Sequence, residues 1–225
     1  MHSGTWAFGF DVRYPMCDCS LLEDVRKALC ERGFDVRICA DCRDAREAVL
    51  RKVRELRAVG IGFGGSQTVG RLALADDLTA LGCKLYRHNE EGLTAEQKLE
   101  ICRKQLTSDL FLLSANALTR DGLLVNIDGN GNRIGASLFG PRHVIWVVGR
   151  NKIVDGGLSD AIARIRAIAC PANARRLGCK TPCSQTGGCS DCHSPDRICS
   201  IVTYLERRPR MTPSTVLLVA EDLGY

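Results

Sequence analysis

The sequence predicts an α/β fold: a mostly parallel sheet flanked by helices, with a Cys-rich insertion near the C-terminus. Two observations carry this. Short apolar runs alternate with segments of helical period along most of the chain, which is the pattern of β-α units. Residues 170–199 then break the alternation with a stretch rich in Cys, Gly, Pro and Ser. With 225 residues, 45% of them hydrophobic and 25% charged, a single domain over 1–225 can bury a core without covalent staples. That composition excludes disordered and collagen-like chains.

The elements follow in order. Residues 1–16, with Trp6, Phe8, Phe10 and Pro15, read as a loosely ordered lead-in. No basic segment there precedes an apolar one, so no signal peptide is expected. Leu21, Leu22, Val25, Ala28 and Leu29 recur at helical spacing, and Gly33 stops that helix. Residues 34–38 alternate as a strand. Ala45, Ala48, Val49, Val53 and Leu56 mark a second helix with a charged outer face. Residues 58–62 form a short apolar strand that runs into Gly64-Gly65-Ser66-Gln67-Thr68, followed by a helix through Leu81. Residues 84–87 are a strand. Thr94 with Gln97 three positions on is a capping box and opens a helix. Strands are expected at 109–114, 122–127, 143–148, 201–205 and 215–220, and a helix at 158–169. Residues 170–199 hold too few apolar side chains for a core element. No run of 18 apolar residues exists, so no membrane insertion is expected.

Three places carry chemistry. The first is the glycine loop. Strand, Gly62 to Thr68, then helix is an arrangement that cradles phosphate: glycines admit the backbone close to an anion, and Ser66 and Thr68 add hydroxyl donors. No Lys follows the last glycine, so it is not a Walker A loop. Gly60, Gly62 and Gly65 fit G-x-G-x-x-G, but two of them lie in the strand. A tight turn capped by Ser66 is the competing reading, and three glycines favour the anion. The expected ligand residues here are Gly64, Gly65, Ser66 and Thr68.

The second place is polar. Asn116, Asp121, Asn126, Asp128, Asn132 and Arg133 sit between apolar runs, at strand ends where open α/β sheets place ligands. Turn chemistry explains Gly129 to Gly131. It does not explain Asn126 and Asp128, which a strand disfavours. Arg150 and Lys152 follow the strand 143–148 and put two cations at another strand end, with a solvated loop as the alternative.

The third is the cysteine segment, residues 179–199. Cys183-x5-Cys189-x2-Cys192-x6-Cys199 can surround one tetrahedral ion or one 4Fe–4S cube. Zinc favours paired C-x2-C knuckles, and this segment has one. Iron–sulfur is therefore the first expectation and Zn2+ the alternative, with reduced thiols or disulfides as the plain readings. Cys17, Cys19, Cys30, Cys39 and Cys42 show no comparable pattern. Thirteen Cys, an odd number, in a chain without secretory features point to a reducing cytoplasm. Of the net charge of +5, residues 171–210 hold seven basic and three acidic side chains, 7 − 3 = +4. Aromatic interleaving is missing there, so nucleic acid is not an expected partner.

Several runs together resemble the LUD-domain family, named for lactate utilisation. They are Gly64-Gly65-Ser66-x-Thr68, Ser114-Ala115-Asn116-Ala117-Leu118-Thr119-x-Asp121-Gly122, Val125-Asn126-Ile127-Asp128-Gly129-x-Gly131-Asn132-Arg133, Phe139-Gly140-Pro141 and Gly149-Arg150-Asn151-Lys152. The resemblance covers roughly residues 20 to 225. It implies a fold similar to ribose-5-phosphate isomerase, glucosamine-phosphate deaminase and the CoA transferases, in which the glycine loop holds phosphate or CoA. It also implies a role beside iron–sulfur partner subunits in lactate or organic-acid oxidation. Fold alone does not give function. The Glu nucleophile of CoA transferases has no counterpart here. Asp121 or Asp128 with Lys152 is the nearest equivalent of the isomerases' acid–lysine pair, and these three are the candidate catalytic residues. The alternative function is therefore an isomerase or transferase acting on a phosphorylated or CoA-linked metabolite, with a structural zinc.

Overall fold

A computed structural model describes residues 19–225; the lead-in expected at 1–16 and Cys17 lie outside the described residues. The chain runs α1 (Cys19–Glu31), β1 (Asp35–Cys39), α2 (Cys42–Leu56), β2 (Gly60–Phe63), α3 (Gln67–Gly70), α4 (Ala75–Ala80), β3 (Lys84–Tyr86) and α5 (Ala95–Gln105). It continues β4 (Leu110–Leu113), β5 (Ala117–Thr119), β6 (Leu124–Asp128), α6 (Asn132–Leu138), β7 (His143–Gly149) and β8 (Ile153–Val154). Then come α7 (Leu158–Arg164), a π-helical stretch (Ile165–Ala169), α8 (Cys170–Arg176), α9 (Pro182–Thr186), β9 (Ile201–Leu205) and β10 (Ser214–Val219).

Six strands form one all-parallel sheet in the order β1-β10-β7-β4-β2-β3. Its central strands are apolar at every position because both faces are covered. Leu110, Leu112, Ile145, Val147, Leu217 and Val219 face Ala45, Val49 and Val53 of α2 and Leu78 of α4. Their neighbours Phe111, Leu113, Val144, Trp146, Val216 and Leu218 face Leu22, Val25 and Leu29 of α1. The α/β class and the parallel sheet stand as expected.

Two expected strands belong elsewhere. Residues 122–127 and 201–205 do not join the parallel sheet but a second, four-stranded sheet in the order β8-β5-β6-β9. The cause is the Arg120-Asp121-Gly122 turn. Gly122 donates its N–H to Thr119 O at φ 91°, and a turn that tight returns the chain antiparallel, pairing β5 with β6. The helix expected from the glycine loop through Leu81 is also two pieces. Ala73, at φ 47°, breaks it, and the break lets Leu72 and Leu74 both reach the core.

The helix expected at 158–169 continues to Arg176, so residues 170–199 are not wholly loop: Cys170, Pro171 and Ala174 are buried. Pro171 has no N–H to give the carbonyl four residues back. Just before it the turn widens, and Cys170 N–H donates to Ile165 O, five residues back. Beyond α8 the segment is held by hydrogen bonds instead of apolar burial. Arg197 donates to the carbonyls of Cys192 and Cys199, Ser184 Oγ to those of Cys179 and Thr181, and Lys180 N–H to Asp196.

The strand glycines have a packing role. A Cβ on Gly62 would lie 2.7 Å from the Phe111 ring and 3.0 Å from Ser108 Oγ. Gly62→Ala should therefore lower the urea midpoint, at a cost of roughly 1–3 kcal/mol for overpacking. An unchanged midpoint would refute this account of the strand.

Candidate functional site

A cavity of about 370 Å3 opens where the glycine loop, the end of β4, the start of α6, Lys152 and the π-stretch with α8 meet. Gly64, Gly65, Ser66, Thr68, Asn116, Asp128, Asn132, Arg133 and Lys152 all line it. Three expected site residues do not. Asp121 is exposed and faces Arg32 at 2.9 Å and Thr119. Arg150 pairs with Asp222 at 2.9 Å. Asn126 is 2% exposed, and its Oδ1 accepts from the backbone N–H of Asn116. Asp121 and Arg150 are thus removed from the cavity, because the hairpin turn and the turn after β7 point them elsewhere. Asn126 holds Asn116, which does line it.

The loop hydroxyls turn inward. Ser66 Oγ caps α3 by accepting from Val69 N–H. Thr68 Oγ1 donates to Leu223 O and accepts from Lys152. With α3 only four residues long, the helix-end field expected after the loop is also slight. Positive charge comes from side chains instead. Lys152 is 3% exposed, and its ammonium gives its three hydrogens to Thr68 Oγ1, Ser114 Oγ and Ala115 O, all neutral acceptors. Burial, with Arg164 and Arg133 nearby, brings its pKa from 10.5 down to about 7.

Arg133 donates to Asn116 Oδ1 and Ile127 O at 3.0 Å and lies 3.7 Å from Asp128. Burial pushes its pKa down and the Asp128 carboxylate opposes that. Asp128 in turn accepts from the N–H groups of Gly129 and Ile134 and so caps α6. It is placed to orient Arg133.

Two residues were not legible in the sequence. His88 lines the cavity from the turn after β3, with Gln105 behind it. Cys170 lines it from α8. Burial raises the Cys170 thiol to about 12, helped by Cys199, Cys189 and Cys183. Cys199 is raised by burial, and Cys189 and Cys192 push the same way. The cysteine loop therefore gathers on the cavity wall. Among the described residues, no three His, Cys, Asp or Glu side chains converge tightly enough to hold a single metal ion.

Lys152 sets a pH dependence. Between about 7 and 10.5 the unfolded chain holds a proton that the folded chain does not, so the stability of the fold rises with pH across that window. Below it, the buried ammonium destabilises in full. Denaturant titrations should show this rise, at most roughly 1.4 kcal/mol per pH unit, and Lys152→Met should abolish it. A variant with the same slope as wild type would refute the assignment.

No curated protein matches the chain. Among solved structures it is similar to the crystal structure of a DUF162 family protein from Deinococcus radiodurans. The two are 14% identical with a TM-score of 0.51, over 89% of this chain and 96% of that one, a likeness that carries the fold. No helix among the described residues is long and apolar enough to cross a membrane. The LUD domain profile matches residues 22–219, from α1 through β10, and the chain belongs to the LUD-domain family.

Proposed function

We propose that this LUD-domain protein binds a small phosphate- or carboxylate-bearing metabolite in the cavity and serves as a subunit or accessory of a lactate-type organic-acid oxidation system. One observation carries the ligand class. Of the charged side chains on the cavity wall, Lys98, Arg133, Lys152, Arg176 and Arg197 are basic and only Asp128 is acidic. Lys152 has no carboxylate partner, and a buried cation with only neutral acceptors favours an anion beside it. A volume of about 370 Å3 suits a metabolite and would leave most of a CoA molecule outside.

The proposed centre is a 4Fe–4S cluster on Cys183, Cys189, Cys192 and Cys199. Its support is the gathering of these thiols within electrostatic reach of one another, without the close convergence a single ion needs. Arg175, Arg176, Lys180 and Arg197 surround them and suit a cluster of net negative charge. When bound, the cluster supplies one-electron transfer. This chain's part is to hold the anion at Arg133 and Lys152 on the adjoining wall. Iron–sulfur subunits are the proposed protein partners.

The second reading is an isomerase or transferase with a structural zinc. It is favoured by Asp128 and Lys152 sharing one cavity. Metal analysis of anaerobically purified protein separates the two. Brown protein with about four irons per chain supports the first. Colourless protein with one zinc supports the second and refutes the first. Cys192→Ser should release the metal and expose residues 179–199 to protease; unchanged metal content removes Cys192 from the ligand set.

Sulfate tests the anion site, since its charge is constant across the pH range. It should raise the melting temperature of wild type. Arg133→Gln should weaken sulfate about tenfold, the loss of one charge-assisted hydrogen bond. Binding should be tighter at pH 6 than at pH 9, because the Lys152 ammonium is present below about 7 and lost above it. Equal affinity of wild type and Arg133→Gln would place the anion elsewhere.

A further inference from the structure

Gln105, the last residue of α5, is fully buried. Its Nε2 lies 2.9 Å from Phe63 O, from Tyr86 O and from His88 Nδ1. The two carbonyl oxygens only accept. The group facing them is therefore the amide nitrogen and not the amide oxygen. A proton on His88 Nδ1 would point at the hydrogens of that same nitrogen. Nδ1 is therefore an acceptor, sharing two amide hydrogens with the two carbonyls. A neutral imidazole with Nδ1 accepting carries its hydrogen on Nε2.

Nε2 faces the glycine loop. A Cβ on Gly65 would lie 3.4 Å from it, and Gly65 itself sits at φ 70°, which a side chain would strain. On the next residue back, a Cβ at Gly64 would lie 3.0 Å from Arg133 Cγ. The two glycines thus leave room for two donors, one on each side of the loop. Gln105 keeps its Oε1 buried without a partner, so its place is set by what its nitrogen holds. The groups acting on the ring are few. Burial is the largest influence and disfavours the charged form; Gln105 and Asp128 oppose it, and Lys98 of α5 adds to it.

We infer that His88 is a neutral hydrogen-bond donor to the cavity's occupant, fixed in its Nε2–H form by Gln105, and that the occupant places an acceptor oxygen between His88 and Arg133 at the glycine loop. This deepens the anion-pocket reading and rests on it. The ligand chemistry is a phosphate or carboxylate oxygen. The three hydrogens of Lys152 are committed to Thr68, Ser114 and Ala115, so that residue supplies charge while His88 supplies direction.

The test is long-range 15N–1H NMR of the imidazoles at pH 7.5 on the full chain, with His88 assigned through His88→Phe and sulfate as the probe. The expected result is the Nε2–H tautomer in free wild type, a tautomer mixture in Gln105→Met, and a shift of the His88 Nε2 resonance on adding sulfate. Sulfate affinity should fall about tenfold in His88→Phe and return in His88→Gln, which keeps an N–H donor. A protonated Nδ1 in free wild type, either as the other tautomer or as imidazolium, overturns the assignment. Equal sulfate affinity in His88→Phe and wild type overturns the donor role. If wild type shows Nε2–H yet binds no sulfate, the anion pocket fails, the donor role falls with it, and the Gln105 clamp alone survives.

Discussion

A buried ammonium with no countercharge is the constraint on which the site depends. Lys152 reaches from the turn after β7 to the start of α3, the end of β4 and, through Thr68, the backbone at Leu223. These segments are far apart in sequence and would not otherwise meet. The ammonium costs free energy to bury, and neutral acceptors offset only part of that cost. The fold therefore keeps a standing demand for negative charge at one point, and the cavity opens there. Arg133, packed against Gly64, extends the same positive region along the loop.

The loop itself is put to an unexpected use. Gly60 and Gly62 lie against the Tyr86 and Phe111 rings inside the sheet, and Gly64 and Gly65 leave space for Arg133 and His88. Ser66 and Thr68 are occupied by the protein itself. What looks like a backbone cradle is in large part a clearance that lets side chains approach. The donors that remain are a guanidinium and an imidazole, which are directional, set over a lysine, which is not.

The reach of sequence reasoning follows from what each signal encodes. The parallel sheet was readable because Leu110–Leu113, His143–Gly149 and Ser214–Val219 are apolar on both faces, which only a doubly covered strand tolerates. The capping box at Thr94 was readable because it is local. The second sheet was not, since β5 is three residues long and its pairing depends on a turn whose direction periodicity does not record. Asp121 and Asp128 look alike in sequence, both Asp-Gly, yet one meets Arg32 on the surface and the other meets Arg133 at the cavity. His88 carries no spacing signal at all. Its part is visible only once Gln105, from a different helix, is seen behind it.

The widened turn at Ile165–Ala169 has a consequence for how such a chain can vary. An α-helix advances about 100° per residue about its axis. Shortening that stretch by one residue would restore ordinary winding and rotate everything beyond it by that angle. Cys170, Asn173 and Arg176 would swing off the cavity wall, and the thiol loop that follows would be carried away from the anion. The angular phase between two halves of the site is thus set by a single inserted residue. Insertions are tolerated on the outer turns of this protein far more readily than a deletion at this one place.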